Sequence, residues 1–156
     1  MTQRILFVCL GNICRSPTAE GVFRALAARA GLTVEVDSCG TGGWHAGEPP
    51  SGPAIAAAAA RGYDLTPLRA RQVSRADFTR FDRIYAMDST NLRDLRALCP
   101  PGGVQPVALL SLAPQLGRDV PDPWYTGEYE RTLDLIEEAL RALVAELVAA
   151  RDQPAQ

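Results

Sequence analysis

Apolar positions follow two rhythms along the chain: short unbroken runs, and longer stretches in which apolar residues return every three or four positions. Gln3 to Val8 is a run of the first kind, rich in Ile, Leu, Phe and Val. It predicts a strand buried on both faces, as in a parallel sheet. Ala19, Val22, Phe23, Leu26 and Ala30 then recur at helical spacing, with Ser16 suited to the N-cap, Pro17 to the first turn and Gly31 to the stop. Thr33 to Val36 alternates and is β-branched, predicting a second strand. Ser38 to Ser51 is rich in Gly and Pro and reads as a loop. Ala54 to Arg61 predicts an alanine-rich helix closed by Gly62, and Ser74 opens a short one with Asp77 at the capping-box position.

Asp82 to Met87 predicts a third strand. Asp88 to Leu98 predicts a helix, stopped by Cys99-Pro100-Pro101-Gly102-Gly103. Val104 to Leu109 predicts a fourth strand, interrupted by Pro106, and Ala113 to Gly127 reads as irregular. The final helix is the clearest element. Leu133, Ile136, Leu140, Leu143 and Leu147 form one apolar stripe, with Glu137 and Arg141 as an i,i+4 pair on its polar side. Residues 152–156 read as a frayed tail. Strands alternating with helices imply right-handed crossovers and an α/β fold built on a parallel sheet.

Composition narrows the function classes. The 156 residues suit one domain, placed at 1–151, with 47% hydrophobic and 22% charged residues. A net charge of −2 argues against a nucleic-acid binder working through a broad basic face. No apolar run approaches the ~20 residues of a membrane span. Ile5 to Leu10 is too short for a secretory core and Gly11-Asn12 interrupts it, so the expectation is a cytoplasmic protein with no membrane partner. Four cysteines (Cys9, Cys14, Cys39, Cys99) do not make a disulfide framework. The single histidine, His45, leaves a Cys/His metal site poorly supplied, and no metal is expected. Gly40-Thr41-Gly42-Gly43 lacks the lysine and hydroxyl of an NTPase loop.

The chemistry concentrates in Val8-Cys9-Leu10-Gly11-Asn12-Ile13-Cys14-Arg15-Ser16-Pro17. This stretch joins the first strand to the first helix, where sites form in open parallel sheets. A helix N-terminus and a nearby cation, Arg15, both favour a thiolate on Cys9, so no histidine base is required. If Leu10, Gly11, Asn12, Ile13, Cys14 and Arg15 curl, their N–H groups form a nest for an oxyanion, and Gly11 and Asn12 tolerate the positive φ this needs. Arg15 adds a planar fork for two phosphoryl oxygens, and Ser16 can donate to the Cys9 sulfur as well as cap the helix. These parts suit a phosphate monoester better than an acyl group. The plain alternative is a buried structural cysteine beside a surface arginine. A leaving oxygen also needs a proton, and Asp122, held extended by Pro123, is the candidate acid with Asp119 as competitor. A simple Asp-Pro turn is the alternative there.

The stretch from Val8 to Glu20 resembles the signature of the low-molecular-weight protein-tyrosine phosphatases. Val36-Asp37-Ser38 with Gly43-Trp44-His45, Met87 to Leu92, Asp122-Pro123-Trp124-Tyr125 and the long last helix extend the likeness over nearly the whole chain. The resemblance implies a single three-layer domain with a four-stranded parallel sheet and helices on both faces. It implies hydrolysis of phosphotyrosine through a phosphocysteine on Cys9, phosphate held by Arg15 and the loop amides, and Asp122 as general acid and then base. It further implies that Asn12 and Ser38 brace the loop, that Ser16 assists Cys9, that Cys14 protects Cys9 through a reversible disulfide, and that no cofactor is used. The partner expected is a phosphotyrosine-bearing protein, with a tyrosine kinase as one candidate, and the chain is expected to be a monomer or weak dimer. Many eukaryotic relatives carry a histidine in the bracing network where this chain has Leu68, so that network is expected to be smaller or built differently here.

Trp44, Trp124 and Tyr125 are candidate rim residues that would stack on a phenyl ring, while His45 reads as an exposed loop residue. Cys39 and Cys99 read as inert. Two other functions stay open. An arsenate reductase uses a similar loop but needs relay cysteines, for which only Cys99 is available; a phosphotyrosine-binding module would bind without hydrolysis. A phosphoarginine-directed variant has threonine at the place of Ile13 and is disfavoured.

Overall fold

β1 (Gln3–Cys9) runs through the interior of a four-stranded parallel sheet of order β2-β1-β3-β4 in the computed structural model, which describes residues 2–153. Met1 and residues 154–156, the outer part of the expected tail, lie outside them. The unbroken apolar run explains the central place of β1. Ile5, Phe7 and Cys9 enter one core, and Leu6 and Val8 enter another on the opposite face. Such a strand needs cover on both sides.

The first face is covered by α1 (Arg15–Arg29), α2 (Gly52–Ala60) and α6 (Tyr129–Arg151). Val22 and Phe23 of α1 meet Leu133, Ile136, Leu140 and Leu143 of α6 there. The second face is covered by α3 (Asp77–Arg80) and α4 (Ser89–Leu98), through Phe78 and Leu95. This is the three-layer arrangement expected. Phe7 lies between Phe23, edge-on at 5.9 Å, and Tyr85, stacked at 6.0 Å, two of the ring geometries that aromatic quadrupoles favour.

β2 (Val34–Gly40) pairs with β1 along its whole length, from Gln3 opposite Val34 to Cys9 opposite Gly40. It therefore continues through Ser38, where a loop was expected. Pairing with β1 overrides the weak strand propensity of Ser38, Cys39 and Gly40. β3 (Arg83–Ala86) pairs with the other edge of β1. β4 is only Val107–Ala108, since Pro106 has no N–H to offer the ladder. Other boundaries also shift. α2 starts at Gly52 because Ser51 caps it, accepting from the Ala54 amide at 3.4 Å. α3 starts at Asp77, whose carboxylate accepts from the Ser74 amide at 2.8 Å. The stretch expected to be irregular contains a 3₁₀ turn at Pro114–Leu116 and α5 (Pro123–Thr126).

The expected polar-side pair on the last helix is corrected. Glu137 is buried, and Arg141 reaches it at 3.3 Å. Tyr63 donates to it at 2.6 Å and Arg61 pairs with it too, tying the end of α2 to α6. A buried carboxylate requires this many partners.

Candidate active site

Cys9 ends β1 and Arg15 begins α1, so residues 10–14 form a tight loop at the carboxyl ends of the strands. Asn12 sits at φ +58°, the one non-glycine residue with positive φ among the described residues. Ser16 is not the N-cap. Cys14 holds that position without a side-chain cap bond, and the helix starts two residues earlier than Ser16 and Pro17 suggested. The reason is that the Ser16 hydroxyl is used inside the loop, 3.0 Å from Cys9 Sγ.

The loop carbonyls face outward. Thr41 N–H donates to Cys9 O at 2.9 Å, Gly42 to Leu10 O at 3.0 Å and Ser51 to Ile13 O at 2.8 Å. The amides of Leu10, Gly11, Ile13 and Cys14 donate to no acceptor among the described residues, while Asn12 N–H approaches Cys9 Sγ at 3.3 Å. Unpartnered amides beside a helix N-terminus make an anion nest. The end of β2 keeps the loop in this shape. A Cβ on Gly40 would stand 2.6 Å from Leu10 O and 3.0 Å from Gly42 O. Gly40→Ala is therefore expected to push the loop aside and lower kcat/KM for an aryl phosphate on the order of 10²-fold. Circular dichroism and kinetics check this; unchanged kinetics in the folded variant would show that the loop tolerates the displacement.

Arg15 is buried behind the nest. Its Nη1 donates to Asp88 Oδ2 at 2.7 Å and to Val120 O at 3.0 Å, and its Nη2 lies 3.4 Å from Asp122 Oδ2. Burial opposes its charge, but Cys9, Asp88 and Asp122 outweigh that, so the guanidinium holds its proton more firmly than an ordinary arginine. Asp88 escaped the sequence reading. Its signal was position: it caps α4 just past the end of β3, as Cys14 caps α1 after β1. Its Oδ1 takes the Asn91 amide at 2.8 Å, which leaves Oδ2 for Arg15.

Cys9, Leu10, Gly11, Ile13, Cys14 and Arg15 share a cavity of about 300 Å³ with Trp44, His45, Asp122, Trp124 and Tyr125. Asp122 caps α5 through the Trp124 amide at 3.0 Å. Asp119 is occupied elsewhere, accepting from Ser89 N at 2.9 Å and Ser89 Oγ at 2.7 Å. Trp44, Trp124 and Tyr125 are 73%, 59% and 78% exposed, so their rings are free to receive a flat group. His45 departs from the expectation of a plain loop residue. Its ring packs beside Gly11 in the cavity wall, and Nδ1 pairs with Glu48.

Beneath the loop, Asn12 Nδ2 donates to Ser16 Oγ at 2.8 Å and to Ser38 Oγ at 3.0 Å, while its Oδ1 accepts from Arg71 N at 3.0 Å. Leu68 packs against the first core instead. Ser38 donates in turn to Glu20 at 2.7 Å. Glu20, the last residue of the signature stretch, was given no role of its own; an acid on the inward stripe of α1, between Ala19 and Val22, was the available signal.

Cys14 Sγ lies 3.3 Å from Ser51 Oγ and 3.8 Å from Tyr129 Oη, and burial raises its pKa above the ordinary thiol value. Burial pushes the Cys39 thiol up further. Cys99 packs on the second core. Among the described residues, no group of three His, Cys, Asp or Glu side chains is placed to hold a metal ion. None of the helices is long and apolar enough to cross a membrane, among the described residues.

Comparison with known proteins places this geometry in context. A family model described as low molecular weight phosphotyrosine protein phosphatase matches residues 4–153. The low molecular weight protein-tyrosine-phosphatase YfkJ of Bacillus subtilis is 42% identical over 147 residues, covering 92% of this chain and 94% of that protein. A low molecular weight protein-tyrosine-phosphatase of Streptomyces coelicolor is 44% identical over 162 residues, covering 98% of this chain and 96% of the relative. The crystal structure of YfkJ superposes with a TM-score of 0.91 at 40% identity, covering 98% of each chain.

Proposed function

The chain belongs to the low molecular weight phosphotyrosine protein phosphatase family and is a protein-tyrosine phosphatase, and from that premise we propose that it hydrolyses phosphotyrosine through a phosphocysteine on Cys9. The observation that carries this reading is the convergence of Cys9, Arg15 and Asp122 on one cavity beside unpartnered loop amides. The phenyl ring enters between the rim aromatics and the phosphoryl oxygens settle on the amides and Arg15. The three contacts of the guanidinium fit this. Nη1 stays on Asp88 and Val120, while the longer 3.4 Å contact to Asp122 gives way to a phosphoryl oxygen.

Cys9 Sγ attacks phosphorus in line as the P–O bond to the ring breaks, and Asp122 gives its proton to the departing oxygen. The Asp122 carboxylate then takes a proton from water, the water oxygen bonds to phosphorus, and the S–P electrons return to Cys9. Ser16 steadies the returning thiolate from 3.0 Å. Cys14 serves as the protective thiol against overoxidation of Cys9. The working unit is the domain 1–151, acting in the cytoplasm as a monomer or weak dimer on a protein substrate, a tyrosine kinase being the preferred candidate. Four unpaired cysteines suit a reducing compartment.

A pair of matched peptides tests the reading. Phosphate release from the phosphotyrosine peptide is expected to exceed that from its phosphoserine counterpart by at least about tenfold in kcat/KM, because the short side chain reaches the nest only without ring stacking. Tight binding without phosphate release would instead make the chain a binding module. Arsenate reduction finds no support in the relay it would need, since Cys99 packs on the core of the sheet face opposite that of Cys9.

A further inference from the structure

Glu20 is a carboxylate only 5% exposed, lies outside the cavity, and has no part in the chemistry above. Burial favours its neutral form; Ser38, Arg24 and Arg71 oppose that while Asp37 adds to it, and the carboxyl is left above its usual range. Its two oxygens are separately engaged. Oε1 accepts from Ser38 Oγ at 2.7 Å, and Oε2 accepts from Arg24 Nη2 at 2.7 Å.

The proton positions then follow link by link. A carboxylate can only accept, so the single hydroxyl hydrogen of Ser38 is committed to Glu20. Ser38 Oγ must therefore accept from its other neighbour, Asn12 Nδ2, at 3.0 Å. This turns the amide nitrogen of Asn12 inward, in agreement with Arg71 N–H donating to its Oδ1. The same nitrogen donates to Ser16 Oγ at 2.8 Å, so Ser16 keeps its own hydrogen for Cys9 Sγ at 3.0 Å or Cys39 O at 3.3 Å. A thiolate is the stronger acceptor of the two.

We propose that Glu20 is a positioning residue for the reaction: it sets the direction of the hydrogen bonds running through Ser38, Asn12 and Ser16, and so makes Ser16 a donor to Cys9. Arg24 keeps the anchor in place by occupying the second oxygen. The pair takes over here, where Leu68 supplies no polar group. The role rests on the reading of Cys9 as nucleophile.

Glu20→Gln tests the direction rather than the shape. Arg24 claims the amide oxygen of the new side chain, which turns its N–H groups toward Ser38 and reverses the first link. Turnover of an aryl phosphate is expected to fall about tenfold in kcat, with KM and inhibition by inorganic phosphate within about twofold. Alkylation of Cys9 by iodoacetamide should shift to higher pH, since a thiolate that loses a donor is less favoured. The double variant Glu20→Gln/Arg24→Met should recover part of both losses, because the amide is then free to present its oxygen to Ser38. An alkylation profile superimposable on that of the unaltered protein, or a double variant worse than the single one, would overturn the proposal.

If Glu20→Gln does not fold, Arg24→Met carries the test, since that side chain is more than half exposed. Without Arg24, Glu20 takes up a proton more readily, with burial and Asp37 favouring the neutral form and Ser38 and Arg71 left in opposition. Alkylation should then slow in mildly acidic solution and be unchanged in alkaline solution; no slowing there would equally overturn the role. Loss of turnover in Cys9→Ser tests the underlying reading separately, so failure of one is distinguishable from failure of the other.

Discussion

Cys9→Ser is expected to remove turnover of aryl phosphates by on the order of 10⁴-fold or more while leaving inorganic phosphate bound within a few fold. The asymmetry follows from what each part of the site does. A serine hydroxyl at this place has to lose its proton to attack phosphorus, and the atoms around Cys9 Sγ do not take protons. Ser16 Oγ at 3.0 Å and the Asn12 amide at 3.3 Å are placed to donate to an anion. His45, the only imidazole, is held in the cavity wall by Glu48. On the proposed reading, phosphate is held instead by the amides of Leu10, Gly11, Ile13 and Cys14 and by Arg15, none of which the substitution touches. Steady-state kinetics with an aryl phosphate and a competition isotherm with inorganic phosphate measure both quantities. Substantial turnover by the serine variant would remove Cys9 from the nucleophilic role.

The second large effect belongs to Asp122. Asp122→Asn keeps the α5 cap, because the amide oxygen still accepts from Trp124 N–H, yet it has no proton to give a departing phenoxide. A loss of about 10²- to 10⁴-fold in kcat is expected. The loss should be smallest for substrates whose leaving oxygen is already a weak base, because these depart unaided. The slope of rate against leaving-group pKa must therefore steepen in the variant. An equal loss across a series of aryl phosphates would take Asp122 out of the acid role. Phosphate affinity is not expected to fall, since the variant also relaxes the hold of Asp122 on Arg15 Nη2.

The parts that could be read in advance share a physical property: their signal is local. The run from Ile5 to Val8 demanded burial on two faces, and the stripe from Leu133 to Leu147 demanded one apolar neighbour. The Cys9-to-Ser16 stretch carried its chemistry within a few residues. Asp88 and Glu20 did not stand out because each takes its meaning from a partner distant in sequence, Arg15 in one case and Ser38 in the other. Ser38 and Gly40 looked like loop because their propensities oppose a strand; pairing with Phe7 and Cys9 decided otherwise. Ser16 looked like a helix cap for the opposite reason, a good local fit displaced by a distant demand. Glu137 was assigned to the polar side because its helix partner was visible, while Tyr63 and Arg61 were not.

The contrast between the exposed rings of Trp44, Trp124 and Tyr125 and the buried Cys9 and Arg15 bears on how such a protein can diversify. Changes at the three rings cost little folding energy, because few core contacts depend on them. Changes at the cavity floor disturb β1, which both cores share. With the proposed roles of rim and floor, selection can therefore exchange the rim to suit a new phosphoprotein while the same bond-breaking apparatus is inherited intact. Descendants of one such chain are free to part company in what they recognise long before they differ in what they do.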